Sequence, residues 1–214
     1  LKQFECLVVE DREIDEFHRP PHHQNYFEIA FIANGSGKIL MNRQEKQYTT
    51  NDIFLIGPDD LHYFDINEKT RFIFIKFNED FFSGRNPNIE SSKTTPLLDL
   101  FSSSYLKEIS PVWSASERHF FSILTEQILE IRNQGFLQRS SSVYFLIAAI
   151  LAYIDDYHKR SISVSEPLLN QTGLLLHYLH QNIYFPEKIR IRTVAQHFHI
   201  SENYFGEWFR KNFD

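Results

Sequence analysis

Tyr26-Phe27-Glu28-Ile29-Ala30-Phe31-Ile32-Ala33, followed at once by Asn34-Gly35-Ser36-Gly37, is the stretch on which the fold turns. Eight residues rich in Phe and Ile, cut off by a cluster of turn-forming residues, read as a β-strand that ends where the backbone must reverse. The pattern repeats outward from there. Lys38–Met41 resumes and breaks near Asn42-Arg43. Ile53–Ile56 follows Asn51-Asp52 and stops at Gly57-Pro58-Asp59-Asp60. Leu61–Ile66 stops at Asn67-Glu68, and Arg71–Phe77 is a further bulky run. Short strands at this spacing, separated by residues that tolerate left-handed backbone, predict a β-sandwich or barrel.

The periodicity then changes. Asn86 to Thr95 is polar and carries Pro, as a loop does. Beyond Ser116 the apolar residues Phe121, Leu124, Ile128 and Ile131 recur at steps of three and four, which is one face of a helix. Asn133-Gln134-Gly135 supplies a glycine cap. Val143, Ile147, Ile150, Ile154 and Tyr157 repeat the pattern, widened by Leu146 and Leu151, so two helices form an antiparallel hairpin. That hairpin either packs on its own barrel or pairs with a twin, because faces of this spacing suit a helix-to-helix seam. Lys159 to Thr172 is polar and serine-rich, and the part over 161–172 reads as a linker.

Composition sets the outer limits. The chain has 214 residues, 42% hydrophobic and 23% charged, which is globular rather than disordered. Its longest apolar run, Val143 to Ile154, spans 12 residues, too few for a membrane helix, and the mean hydropathy is −0.36. The single cysteine, Cys6, excludes an intrachain disulfide and a Cys-rich zinc module and points to a reducing, cytoplasmic compartment. No phosphate-binding Gly-rich loop and no nucleophile-elbow pattern occurs. The net charge of −6 is uneven: residues 170–214 carry +1 and four histidines, and 1–169 carry −7. A DNA-binding tail on an acidic body fits that division.

In that tail, Leu175, Leu176, Leu179 and Ile183 form one helix face. A short helix follows from about Arg192 to Phe198. His199-Ile200 is a break, and Ser201 is an N-cap for a helix with Phe205, Trp208 and Phe209 on its buried side. Two short helices joined by a tight turn, with a small Ala195 in the first, describe a helix-turn-helix. A plain helical hairpin has the same spacing. The run Leu175–Ile183, then Thr193–Phe205, then Trp208-Phe209-Arg210-Lys211 resembles the first half of an AraC-family DNA-binding domain. The resemblance implies that Asn203, Gly206 and Glu207 face base edges, and that Ser201, Arg210 and Lys211 lie near phosphates. That family's domain carries a second helix-turn-helix, so the ending at Asp214 reads as a truncated C-terminus.

At the other end, His22-His23, Glu28, the Gly35-Ser36-Gly37 turn, and Asp52–Pro58 followed by His62 resemble the two motifs of a cupin barrel, the ligand-sensing domain that precedes many AraC-type DNA-binding domains. Cupin enzymes hold a metal with two His one residue apart, a Glu and a further His. Here the second of those positions falls on Gln24. His22, Glu28 and His62 are therefore candidates to bind a small-molecule effector, a carbohydrate among them, and alternatively to ligate a metal in a cupin enzyme.

The resulting expectation is an α+β protein. It has a cupin-like double-stranded β-barrel for effector binding (1–110), a helical dimerisation segment (111–160), a linker (161–172) and a partial helix-turn-helix domain (173–214). Its partners are DNA, a small-molecule effector, a second copy of itself and RNA polymerase, with no membrane, no catalytic residue and no cofactor.

Overall fold

A computed structural model describes residues 5–17, 20–42, 44–83, 95–103, 106, 111–137, 140–165, 175, 178–179, 182–198 and 200–213; of the side chains at 83, 95–96, 161–165, 208 and 211–213 nothing is described. In chain order the strands are β1 (Leu7–Ile14), β2 (Phe27–Met41), β3 (Gln44–Thr49), β4 (Ile53–Ile56) and β5 (His62–Phe77). The helices are α1 (Asp80–Ser83), α2 (Thr95–Asp99), α3 (Ala115–Asn133), α4 (Ser141–Ser165), α5 (Ile191–His197) and α6 (Glu202–Phe213). The chain divides into two units, Leu1–His158 and Lys159–Asp214.

The strands of the first unit make one antiparallel sheet in the order β1-β5-β2-β3, with β4 also paired to β2. Two breaks expected from the sequence are not strand ends. β2 runs unbroken through Asn34–Gly37, and β5 runs unbroken through Asn67-Glu68. The turn-forming residues instead make bulges, with register shifts between Ile32 and Gly37 and with Gly35 at φ +109°. A bulge bends a strand without ending it, and here the bend is severe. Phe64 and Phe72 lie eight positions apart on β5, roughly 26 Å along a straight strand. Their ring centroids are 4.9 Å apart. The sheet therefore curls over on itself and encloses an aromatic interior. Gly37 sits where this curl is tightest: a Cβ there would collide with the Tyr48 hydroxyl and the Asp65 carbonyl.

Alternation along the strands sends neighbouring residues to opposite faces. Leu7, Val9, Ile29, Phe31, Ile53, Ile73, Ile75 and Phe77 face the helices, and Ala30, Ile32, Ile56, Phe72 and Phe74 face the enclosed interior with Ile39, Tyr48 and Phe64. β1 and β3 were not foreseen. β1 is half charged and its apolar residues are few, so it does not stand out as a run.

α3 begins with a capping box, in which Ser114 Oγ accepts from Glu117 N–H and the Glu117 carboxylate accepts from Ser114 N–H. It ends in a Schellman arrangement at Gly135, φ +79°, where Gly135 N–H donates to Arg132 O and Phe136 N–H to Ile131 O. α3 and α4 lie antiparallel: Phe120 and Phe121 meet Tyr153, and Trp113 meets Tyr157. The α4 face expected at a two-fold seam is spent within the chain. Val143, Ile147, Ile150, Leu151 and Ile154 are buried in the same core as the sheet's outer face. The sheet needs that cover, because its apolar side would otherwise lie open to water. Three polar ties fix α3 to the sheet. Arg118 pairs with Asp52 at 2.7 Å. Arg71 bridges Asp11 and Glu126, and Arg132 Nη1 donates to Val9 O.

The expected segments 1–110 and 111–160 thus share one core. The expected linker meets helix in its first five positions, since α4 continues to Ser165 and serine costs a helix only tenths of a kcal/mol; 166–172 lie outside the described residues.

The second unit packs Leu175, Val194, Ala195 and Phe205 with Tyr178, Leu179, Phe198 and Ile200. α5 and α6 are joined across Phe198–Ser201. Ser201 Oγ accepts from Tyr204 N–H and so caps α6. Phe209, expected on the buried side, is 38% exposed, one turn beyond the point where this small core ends at Phe205.

Candidate functional site

The charged residues that the apolar strands carry collect at one end of the enclosed interior. On β2, Glu28 precedes the inward-facing Ala30 and Ile32. On β5, Lys76 follows the inward-facing Phe72 and Phe74, and antiparallel register sets Glu28 directly opposite Lys76. On β1, Glu10 lies opposite Phe74 and Arg12 opposite Phe72. These side chains, with Ile14, Glu16, Phe17, His22, Tyr26 and His62, line a cavity of about 180 Å³. Drug-sized sites run to roughly 300–1,000 Å³, so an occupant here is small.

The wall is held by a compact ion cluster. Glu10 Oε2 accepts from Lys76 Nζ and pairs with Arg12 Nε, each at 2.9 Å, and Lys76 Nζ is 4.0 Å from Glu28 Oε2. Burial raises the Glu10 carboxyl, but the hydrogen bonds and charges of Lys76 and Arg12 outweigh it and hold the group below its ordinary value. The Lys76 ammonium also lies over two rings, 5.2 Å from Phe74 and 5.8 Å from Tyr26. Glu28 and Tyr26 are 4% exposed and Lys76 8%. A buried carboxylate and a buried ammonium persist at such exposure because each compensates the other.

The two histidines stand together at the rim. Their backbones form an isolated bridge, His22 N–H to His62 O and the reverse, each 3.2 Å, and their ring centroids are 4.5 Å apart. His22 Nδ1 lies 3.0 Å from Pro20 O, and His62 Nδ1 lies 3.2 Å from Asp60 O. Burial pushes His62 down to about 4; the Asp60 carbonyl opposes the shift and the nearby His22 adds to it. His62 is therefore neutral at pH 7. With Nδ1–H donated to Asp60, its Nε2 is an acceptor.

All three residues expected to bind an effector, His22, Glu28 and His62, stand on this one cavity. They do not form a metal site. Among the described residues no three His, Cys, Asp or Glu side chains converge as a metal-binding group. The cation beside Glu28 is Lys76, and Gln24, where a further His ligand would stand, is buried with Nε2 donating to Tyr26 O and Oε1 without a partner. The donor set does not fit a metal. Sequence reasoning missed Glu10, Arg12, Glu16, Phe17, Tyr26, Phe74 and Lys76. The available signal was the lone Glu28 in one apolar run and the lone Lys76 in another, opposite charges that only a shared interior reconciles.

Of the residues expected at DNA, Ser201 caps α6, and Asn203, Glu207 and Arg210 are exposed, with Arg210 Nε donating to Gly206 O at 3.3 Å. A Cβ on Gly206 would meet nothing within 4 Å. The side chains of Lys211 and Trp208 lie outside the described residues.

A curled antiparallel sheet with a polar-mouthed cavity is the architecture of a small-molecule binding domain. The sequence profile of the AraC-like ligand binding domain matches residues 7–130, more than half of the chain, and the protein belongs to that family. No curated protein matches the chain. Among solved structures it is similar in part to the EutQ protein of Clostridium difficile (20% identity over 37% of this chain and 57% of that one, TM-score 0.31). It is also similar in part to a cupin protein of Bacteroides fragilis (18% identity, 41% and 72%, TM-score 0.32) and to KdgF of Halomonas (14% identity, 35% and 70%, TM-score 0.31). The chain thus spans 57% of the length of the first of these. Among the described residues no helix is long and apolar enough to cross a membrane.

Proposed function

We propose that the protein is a cytoplasmic, ligand-responsive regulator of transcription that senses a small molecule and reads DNA, and that it is not an enzyme. The observation that carries the sensing half is the polar-mouthed cavity within a domain of the AraC-like ligand-binding family. His22, Glu28 and His62 hold the effector together with Glu10, Arg12 and Lys76. The DNA half rests on the resemblance of residues 175–211 and on the exposure of Asn203 and Glu207. These lie four residues apart and so share one helical face. In this reading Asn203 and Glu207 meet base edges across the major groove, and Ser201, Arg210 and Lys211 meet phosphates. Gly206, with open space before it, contributes only close approach.

Two copies pair as a homodimer, as the notion of a helical dimerisation segment implies. The outward Val112, Ile123, Phe136 and Phe145 are the large apolar residues of that segment left exposed for the contact. RNA polymerase is a further partner of such a regulator.

The test is fluorescence anisotropy of the protein, extended through any natural C-terminal sequence, on a library of DNA duplexes with and without added metabolites. Selective binding that a metabolite changes supports the reading; salt-independent or sequence-blind binding refutes it. Asn203→Ala and Glu207→Ala each relax discrimination at one base pair by ~1–3 kcal/mol, and Arg210→Ala weakens all sequences and lowers the salt slope.

A further inference from the structure

We propose that the turn leading into α5, with the first residues of that helix, is a second grip on DNA: Lys188, Arg190 and Arg192 hold phosphates of the backbone that flanks the bases met by α6. This rests on the DNA reading and extends its contact surface beyond α6.

Position is the first observation. Arg192 Nε lies 4.0 Å from Glu202 Oε1, so the start of α5 stands beside the start of α6, the helix that carries Asn203 and Glu207. A groove that receives α6 is bounded by sugar-phosphate backbone, and one of those edges passes this corner. The second observation is that the cations there are available. Lys188, Arg190 and Arg192 fall within five residues, all exposed, with one neighbouring carboxylate, the exposed Glu187. Lys188 and Arg190 form no ion pair among the described residues. Arg192 meets Glu202 at 4.0 Å with the two side chains 76% and 57% exposed, a contact that costs little to give up. Third, Arg190 has no task within the fold. It occupies the position before α5 where Ser, Thr, Asn or Asp is favoured, and its side chain makes no cap hydrogen bond. Fourth, the Lys188 ammonium lies over the Phe185 ring, 4.6 Å from its centroid, which holds the charge at the surface without neutralising it. Tyr184, 90% exposed, adds a hydroxyl donor of the kind that phosphate oxygens accept. The exposed Ile183, Phe185 and Ile191 would also suit a protein partner. The cations beside α6 select a polyanion instead.

The test is fluorescence anisotropy with the full chain on the same duplexes, over a range of KCl, for the parent protein and the triple variant Lys188→Gln, Arg190→Gln, Arg192→Gln. The triple variant binds every duplex at least about thirtyfold more weakly at ~0.1 M salt, and the slope of log affinity against log salt falls by ~2–3. The ratio between preferred and scrambled duplexes stays unchanged, since phosphate contacts carry no sequence information. Arg190→Lys with Arg192→Lys keeps the slope, which separates charge from packing. Should the triple variant not fold, Arg190→Gln alone lowers the slope by ~0.9. Undiminished affinity and slope in the folded variant overturn the grip and leave selective DNA reading by α6 standing. Loss of discrimination together with affinity overturns the phosphate assignment in favour of base contact. An unchanged slope with lost binding to RNA polymerase, or to vesicles containing phosphatidylglycerol, gives the ridge to a protein or a lipid surface and overturns it as well. A parent protein that binds no duplex overturns the DNA reading and the grip with it.

Discussion

The two faces of the same sheet are built from alternate residues of the same strands, yet they behave as different materials. Ile29, Phe31, Ile73, Ile75 and Phe77 enter a dry core closed by α3 and α4. Their immediate neighbours Ala30, Ile32, Phe72 and Phe74 enter an aromatic interior that opens, one step further along each strand, onto Glu28 and Lys76. The helix-facing side is apolar except at the Asp11–Arg71 pair that meets Glu126 of α3, so it contributes mainly stability. The inner side gives up apolar cover at one end, and that end is where charge, two histidines and a cavity coincide. Stability and recognition are separated by a single residue of register, which is why a one-residue slip in β2 or β5 would exchange them.

The largest expected effect tests the helix-facing side. Ile147→Asp places an unpaired charge in the core shared by α4 and the sheet, where Ile147 is fully buried. The cost is several kcal/mol, and the first unit loses cooperative unfolding in denaturant titration. A folded chain that merely changes from dimer to monomer in sedimentation would return this face to a subunit seam and break the contrast.

The polar end is tested by pH. Because the folded His62 titrates near 4, below the 6.5 of the unfolded chain, the unfolded state binds the extra proton between those values. Its stabilising contribution is complete above about pH 6.5 and is lost as pH falls toward 4, by up to about 3 kcal/mol. Glu10, depressed by Lys76 and Arg12, adds loss in the same direction below its ordinary 4.5. Denaturant unfolding at pH 7 and 4.5 reads the first component, and His62→Gln removes it. An unchanged slope in that variant would place the titration elsewhere.

A smaller effect falls where the faces are tied together. Arg71 holds Asp11 through two hydrogen bonds and Glu126 through a third, all at 2.9 Å, joining β1 and β5 to α3. The side chain is about a third exposed, so Arg71→Ala costs about 1 kcal/mol, and less at high salt. A salt-independent loss of several kcal/mol would mean that packing rather than charge ties the helix down. The smallest effect lies outside the sheet. Gly206→Ala stabilises α6 by up to ~1 kcal/mol, since a Cβ there meets open space. A lower melting temperature for the second unit would reveal a contact at that position.

Individual residues show why part of this was legible. Apolar runs at 26–33, 53–56 and 71–77 and the three-four periodicity of 121–131 and 143–157 declare strands and helices locally, because alternation and helical pitch are properties of the chain itself. Asn51 is read correctly as a turn residue for the same reason: it adopts φ +68°. The Asn34–Gly37 cluster misleads because turn chemistry and bulge chemistry use the same residues, and only the pairing partner decides which forms. β1 stays hidden because Glu10 and Arg12 line the cavity yet look solvated in isolation. His22, Glu28 and His62 are found through their resemblance to cupin motifs, but their true companions come from strands far away in sequence.

By itself, then, the sequence determined the apolar runs that become strands, the periodicity of the two long helices and the N-cap at Ser201, all of which depend on neighbours within a turn or two. Only the tertiary structure decided that the α4 face packs inward, that β2 and β5 bend instead of ending, and that Glu28 meets Lys76 while His62 is buried beside His22. Those outcomes depend on contacts between residues dozens of positions apart. Burial and charge compensation there are settled by which strands become neighbours, not by what any strand prefers alone.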